Sequence, residues 1–110
     1  MRLIYHIIDK HAWDPASAGE YRADSLATEG FIHCSNRDQV ARVANLFYAD
    51  RTELLVLCID ADRLTSSVRD EDPGTGELFP HVYGPISRDA IVAVTSLIRD
   101  SAGRWVLPNL

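Results

Sequence analysis

Leu54-Leu55-Val56-Leu57-Cys58-Ile59 is a near-continuous apolar run rich in branched residues, and its position decides the fold. A strand without polar alternation must be covered on both faces, so this segment is expected at the centre of a layered domain. Before it, Ser35-Asn36-Arg37-Asp38 reads as a helix start. A serine oxygen there can accept a backbone N–H that lacks an intrahelical partner. Val40, Val43, Ala44 and Phe47 recur at i, i+3, i+4 and i+7, which predicts a helix with one buried face. Farther back, Phe31 to Cys34 reads as a strand, Ser25 to Gly30 as a turn and Leu3 to Ile8 as a buried strand. Asp9 is expected to cap a helical turn, and Asp14-Pro15 to open a second short helix that Gly19 stops.

Beyond the central run, Asp60 to Leu64 is a helical turn and Ser67 to Glu71 a short strand. Asp72-Pro73-Gly74-Thr75-Gly76 is an exposed loop by its glycine and proline content. Phe79-Pro80-His81-Val82-Tyr83-Gly84-Pro85 is too rich in proline for a central strand and fits an edge strand or an ordered loop. Ile91 to Ile98 reads as one long strand. Asp100 to Gly103 turns it back, and Arg104 to Leu107 returns as a hairpin. Helices in the first half and strands in the second make this an α+β chain. It is expected to form a small single domain over residues 1–110, with a bent, split, mainly antiparallel sheet and two or three helices.

The composition excludes several classes. Of 110 residues, 46% are apolar and 25% charged, as in a globular domain. A net charge of −5 repels a phosphate backbone, which argues against nucleic acid as a partner. No apolar run is long enough to span a bilayer, and no secretory leader is recognisable at the start. Cys34 and Cys58 lie in apolar stretches without mutual ligand spacing. They read as buried, reduced thiols of a cytoplasmic protein.

Three segments set histidine beside other polar groups: Tyr5-His6, Gly30-Phe31-Ile32-His33-Cys34-Ser35 and Phe79-Pro80-His81-Val82-Tyr83-Gly84. His11, in a turn, reads as solvated. Alternation puts Phe31 and His33 on one strand face and Ile32 and Cys34 on the other. His33 also precedes a helix N-terminus, a place suited to an anion. His81 and Tyr83 share a face if extended, and such rings on a rigid frame suit stacking with a planar ligand. Against this stands the purely structural alternative, in which both histidines and the tyrosine satisfy neighbouring backbone groups. In Asp70-Glu71-Asp72, usually a solvated run, Glu71 is the acid best placed to turn inward as a catalytic carboxylate. His6, His33, Cys34 and His81 are metal-ligand types, but their spacing matches no zinc pattern and no metal is expected. Nothing marks Cys34 as an activated nucleophile.

The set Ile4-Tyr5-His6-Ile7, Trp13, Ser25-Leu26, Glu29-Gly30-Phe31-Ile32-His33-Cys34-Ser35 with Gln39, and Phe79-Pro80-His81-Val82-Tyr83-Gly84-Pro85 resembles a family of short bacterial proteins. That family is domain of unknown function 952, and its fold is similar to that of the ADP-ribosyltransferases, whose split, bent sheets hold NAD in a cleft. The resemblance implies that His6 bonds the adenosine ribose or the nicotinamide amide region and that Ser35 supports the nicotinamide side. It also implies that Glu71 steadies the ribose as it gains oxocarbenium character. The chain departs from transferases that follow a first-strand His-Gly with Thr or Ser, since His6 is followed by Ile7-Ile8. The expected function is a polar pocket lined by His6, His33, Ser35, His81 and Tyr83 that takes NAD or a related nucleotide as a small-molecule ligand. Transfer or cleavage of ADP-ribose would follow there, without a metal. The alternative is a non-catalytic ligand-binding or protein-interaction module with structural histidines.

Overall fold

In chain order the elements are strand β1 (Leu3–Asp9), helix α1 (Asp24–Glu29), strand β2 (Ile32–His33) and helix α2 (Val40–Phe47). Strands β3 (Leu54–Asp60), β4 (Ser67–Glu71), β5 (Phe79–Tyr83), β6 (Ile91–Ser96), β7 (Ile98–Arg99) and β8 (Trp105–Val106) follow. The computed structural model describes residues 1–108. Two three-stranded antiparallel sheets, ordered β1-β3-β6 and β2-β5-β4, carry the fold, with β7 and β8 paired separately.

The apolar run goes where its composition sends it. All seven residues of β3 are buried, and β3 is the middle strand of its sheet. Its two faces serve two cores. Leu55, Leu57 and Ile59, with Ile4 and Ile8 of β1, pack on Ile32, Cys34 and Val82 of the second sheet. Leu54, Val56 and Cys58, with Tyr5 and Ile7, pack on Val40 and Ala44 of α2 and on Leu97 and Trp105. The molecule is therefore layered, with α2 and the β7–β8 hairpin on one side of the first sheet and the second sheet on the other. Each fully buried leucine or isoleucine contributes about 1.5–3 kcal/mol, so β3 is the main apolar anchor.

One seam joins the sheets. Past the end of β2, Ser35 pairs with Tyr5 of β1 through N–H···O bonds of 2.9 and 2.7 Å. The chain thus pairs with β5 first and with β1 two residues later.

Several elements differ from expectation. Ser25 to Gly30, read as a turn, fall in α1 (Asp24–Glu29) and its C-cap, and Leu26 packs against the first core. Gly30 is turn-like as its sequence suggests, but with φ of 90° it caps this helix and donates to the Ser25 and Leu26 carbonyls. Asp14-Pro15 starts no helix. Arg88 donates to the carbonyls of Asp14 and Gly19, both at 2.9 Å, and holds the segment open across its span. Asn36 and not Ser35 caps the 3-10 turn Arg37–Gln39 that leads into α2, in a capping box with Gln39, while the Ser35 backbone is committed to the seam. Val40 and Ala44 are fully buried as the period predicts, whereas Phe47 is 70% exposed. The helix ends at Phe47, and Trp105 fills the space beneath its last turn, donating its indole N–H to the Tyr48 carbonyl. The Ile91–Ile98 stretch is two strands, divided at buried Leu97.

The proline-containing segment is not an edge. β5 lies between β2 and β4. Proline is tolerated because its missing donor falls opposite Cys34, where β2 is already ending. The Pro80 carbonyl still accepts from the Cys34 N–H at 3.0 Å. Among the described residues, no helix is long and apolar enough to cross a membrane.

Gly84 ends β5 with φ of 151°, and a Cβ there would press on the side chain of Ser66. Ser66 is not free to yield, since its hydroxyl donates to the Pro85 carbonyl at 2.7 Å. Gly84→Ala is expected to lower the unfolding free energy by about 1–3 kcal/mol, the range for such backbone strain, or more if Ser66 holds its place. Urea denaturation measures it, and an unchanged midpoint would show that the turn relaxes freely.

Candidate functional site

The second sheet turns Ile32, Val68 and Val82 toward the core. Period-two alternation then sends the other residues of each strand outward. In register across the sheet lie His33 of β2, His81 of β5 and Arg69 of β4. Phe31 stacks on His81 with ring centres 4.2 Å apart and planes 18° apart. His33 meets His81 edge-on at 5.3 Å, and Tyr83 lies 5.3 Å from Phe31. The Phe31 roof explains how His81, on an outward face, is only 4% exposed.

Glu71 organises this face. Its Oε1 accepts from His81 Nδ1 at 2.9 Å and from the Tyr83 hydroxyl at 2.5 Å. Those bonds, the tyrosine's first, hold the Glu71 carboxyl below the usual carboxylate range, and the same contact raises the Tyr83 hydroxyl. A carboxylate can only accept, so Nδ1 carries the hydrogen, and the nitrogen available to a ligand is Nε2. His33 Nε2 lies 3.0 Å from Glu29 Oε2, and the Arg69 guanidinium sits 4.5 Å above the Tyr83 ring.

His6 is elsewhere. It lies between the sheets, 7% exposed. Nδ1 donates to the His33 carbonyl at 2.7 Å, so Nε2 accepts from the Tyr21 hydroxyl at 2.8 Å. Burial, opposed by the His33 bond, takes its pKa down to about 4, and burial raises the Tyr21 hydroxyl. The ring is neutral at physiological pH, with both nitrogens occupied inside the protein. The structure thus brings Glu71, His33, His81 and Tyr83 together and places His6 and Ser35 behind them, at the seam.

The buried Cys34 thiol is pushed up to about 12 by desolvation, and His11 is exposed. Among the described residues, no group of three or more His, Cys, Asp or Glu side chains is arranged to hold a metal ion. Two open grooves lie elsewhere. One of about 630 Å³ is lined by Arg37, Asp38, Ala41, Val106 and Leu107. The other, about 500 Å³, is lined by Trp13, Pro15, Ser17, Arg88, Ile91 and Val94. Neither includes a residue of the histidine face, which is a platform at the surface of its sheet.

Four contributors escaped the sequence reading. Phe31 was placed on the His33 face by alternation, but its stacking on β5 depends on strand pairing. Glu29 stands four residues before His33, a spacing visible in the chain. Arg69 is set two before Glu71, the period that puts both on one strand face. Tyr21 carried no signal, since only the Tyr21–Ile86 bridge brings it to His6.

A family described as "Protein of unknown function (DUF952)" matches residues 7–94. The chain is similar to the crystal structure of protein CC0527 from Caulobacter crescentus, with 31% identity, 96% of this chain and 94% of that one covered, and a TM-score of 0.79. The solution structure of CC0527 is similar at 27% identity, with 94% and 91% covered and a TM-score of 0.78. No curated protein matches the chain.

The state of His6 makes stability depend on pH. Between about pH 6.5 and 4 the unfolded ring takes up a proton that the folded ring refuses, so stability falls as pH falls through that window. At about 1.4 kcal/mol per unit, the loss is roughly 3 kcal/mol. His6→Asn, which cannot titrate, is expected to be less stable at pH 7 and to lack this part of the slope. Urea unfolding at several pH values compares the two, and parallel slopes would refute a neutral buried His6.

Proposed function

Since the chain belongs to the DUF952 family of proteins of unknown function, we propose from its own geometry that the outer face of the β2-β5-β4 sheet binds a nucleotide-type ligand. NAD is the first candidate, with cleavage or transfer of its ADP-ribose portion as the reaction. The observation that carries this is an ionised Glu71 set among rings. Its Oε1 is committed to His81 and Tyr83, and Oε2 remains for a sugar that gains positive charge. A fixed carboxylate at that point contributes electrostatically to the transition state.

The other groups suit the same ligand. Half-buried Phe31 and Tyr83 offer ring surface to a base or nicotinamide, and His33 and His81 offer polar edges. Arg69 is exposed beside Tyr83 and carries the charge a diphosphate needs. His6 and Ser35 act as positioning residues, fixing the backbone on which His33 stands. Two antiparallel sheets joined at one seam are what a likeness to the ADP-ribosylation fold calls for, which supports the reading. This chemistry requires no metal. Two free, buried cysteines suit a cytoplasmic setting.

A second reading, a non-catalytic binding or interaction module, is favoured by one observation. The two grooves described above both lie away from the histidine face.

Titration of the protein with NAD, nicotinamide and ADP-ribose, followed by amide NMR shifts, tests the proposal. Shifts are expected at residues 31–33, 69–71 and 79–83, and NAD at a hundred times its dissociation constant should add about 2.7 kcal/mol of stability. Phe31→Leu, which keeps apolar cover over His81 but removes the ring, should weaken binding by about 1–3 kcal/mol, the usual worth of one base stacked on an aromatic ring. Shifts confined to other surfaces, or none, would leave the interaction module as the reading.

A further inference from the structure

The Glu71–His81 pair has the form of an oriented base, and its free nitrogen has no task in the fold. His81 Nδ1 is tied to Glu71 Oε1 at 2.9 Å. Phe31 lies flat over one side of the ring and His33 stands at its edge, so the imidazole has little freedom to turn. Among the described residues, the buried side-chain polar atom without a partner is Ser87 Oγ. Nε2 of His81 makes no hydrogen bond to the described residues, yet it is not among such buried orphans, so it reaches solvent. A largely buried ring whose Nε2 the fold leaves open to solvent is arranged to accept a proton.

Resting on the ligand reading above, we infer that His81 is the general base of the reaction. It takes the proton of an acceptor hydroxyl, water in the simplest case, with Glu71 as both its positioning residue and its counter-charge. In the step, the acceptor oxygen bonds to the anomeric carbon of the nicotinamide-bearing ribose. The carbon–nitrogen bond to nicotinamide breaks, and its electron pair goes to the ring nitrogen, which becomes neutral. The acceptor's proton passes to Nε2, so the positive charge lost by the pyridinium appears on an imidazolium held against a carboxylate. The two Glu71 oxygens divide the work: Oε1 steadies the base and Oε2 faces the sugar. The charged and titrating groups around His81 are Glu71 and Arg69 of β4, Tyr83 of β5 and His33 of β2 with Glu29 behind it.

The test combines NAD binding by amide NMR with nicotinamide release, in water and with excess methanol as acceptor, across pH. Wild-type release should fall toward acid pH, as a reaction that needs an unprotonated base does. At saturating NAD, with occupancy checked by the amide shifts, His81→Asn should release nicotinamide at least about 100-fold more slowly, the lower range for a positioned base, and lose the acid limb. An independent readout is the long-range ¹⁵N spectrum of the His81 ring in the wild-type protein, expected to show a protonated Nδ1 and a bare Nε2. Binding without nicotinamide release in either medium overturns the inference and leaves the binding proposal standing. So does an undiminished rate in His81→Asn, or a ring protonated at Nε2 instead of Nδ1. Absence of NAD binding in the wild type sinks the ligand reading itself and the inference with it.

Discussion

The geometry of the whole chain depends on one short junction. A single backbone pair among the described residues, Tyr5 with Ser35, joins two sheets that otherwise meet through side chains. One residue along β1, the His6 ring donates to the carbonyl of His33 and so pins the last residue of β2 from the core side. Leaving such polar groups unpaired in an apolar layer costs a few kcal/mol, so ring, carbonyl and Tyr21 hydroxyl are mutually obligatory. A charged imidazole has no lone pair for the Tyr21 proton. The neutral form is therefore a condition of the junction as well as a result of burial.

That constraint separates two kinds of histidine that look alike in the sequence. His6 and His33 both follow an apolar or aromatic residue in a strand, and both seemed fit to line one pocket. Strand β2 intervenes. Its carbonyl faces His6, while its alternate side chain faces outward beside His81. The outward set was legible from period-two spacing: Phe31 with His33, His81 with Tyr83, and Glu71 at the end of its strand. What brings Glu71 to His81 is the β4–β5 register, a long-range pairing that no local pattern encodes.

The fold shows the same division. The apolar run of β3 and the α2 periodicity were readable because burial demands them of any arrangement. Ser25 to Gly30 were misread because the αL glycine at their end serves turns and helix caps alike. Pro80 was misread because the rule against proline in a central strand assumes that the ladder its missing N–H faces continues past it. Here the chain leaves one ladder at that residue. The packing beneath the end of α2 depended on Trp105, far along the chain, and Phe47 was left outside.

The first sheet carries an irregularity whose effect extends beyond the molecule. Strand β6 forms the outer margin of that sheet, with Val92 and Val94 exposed, and its pairing with β3 slips between Cys58 and Ile59. An even margin of this kind is a template on which another polypeptide can add as a further strand, the first event in ribbon-like association. A slip bends the strand and sharpens its twist. The unpaired amides then point in diverging directions, and a flat incoming chain meets only part of them. An interruption that costs a little pairing inside the sheet thus protects the margin from unwanted self-assembly.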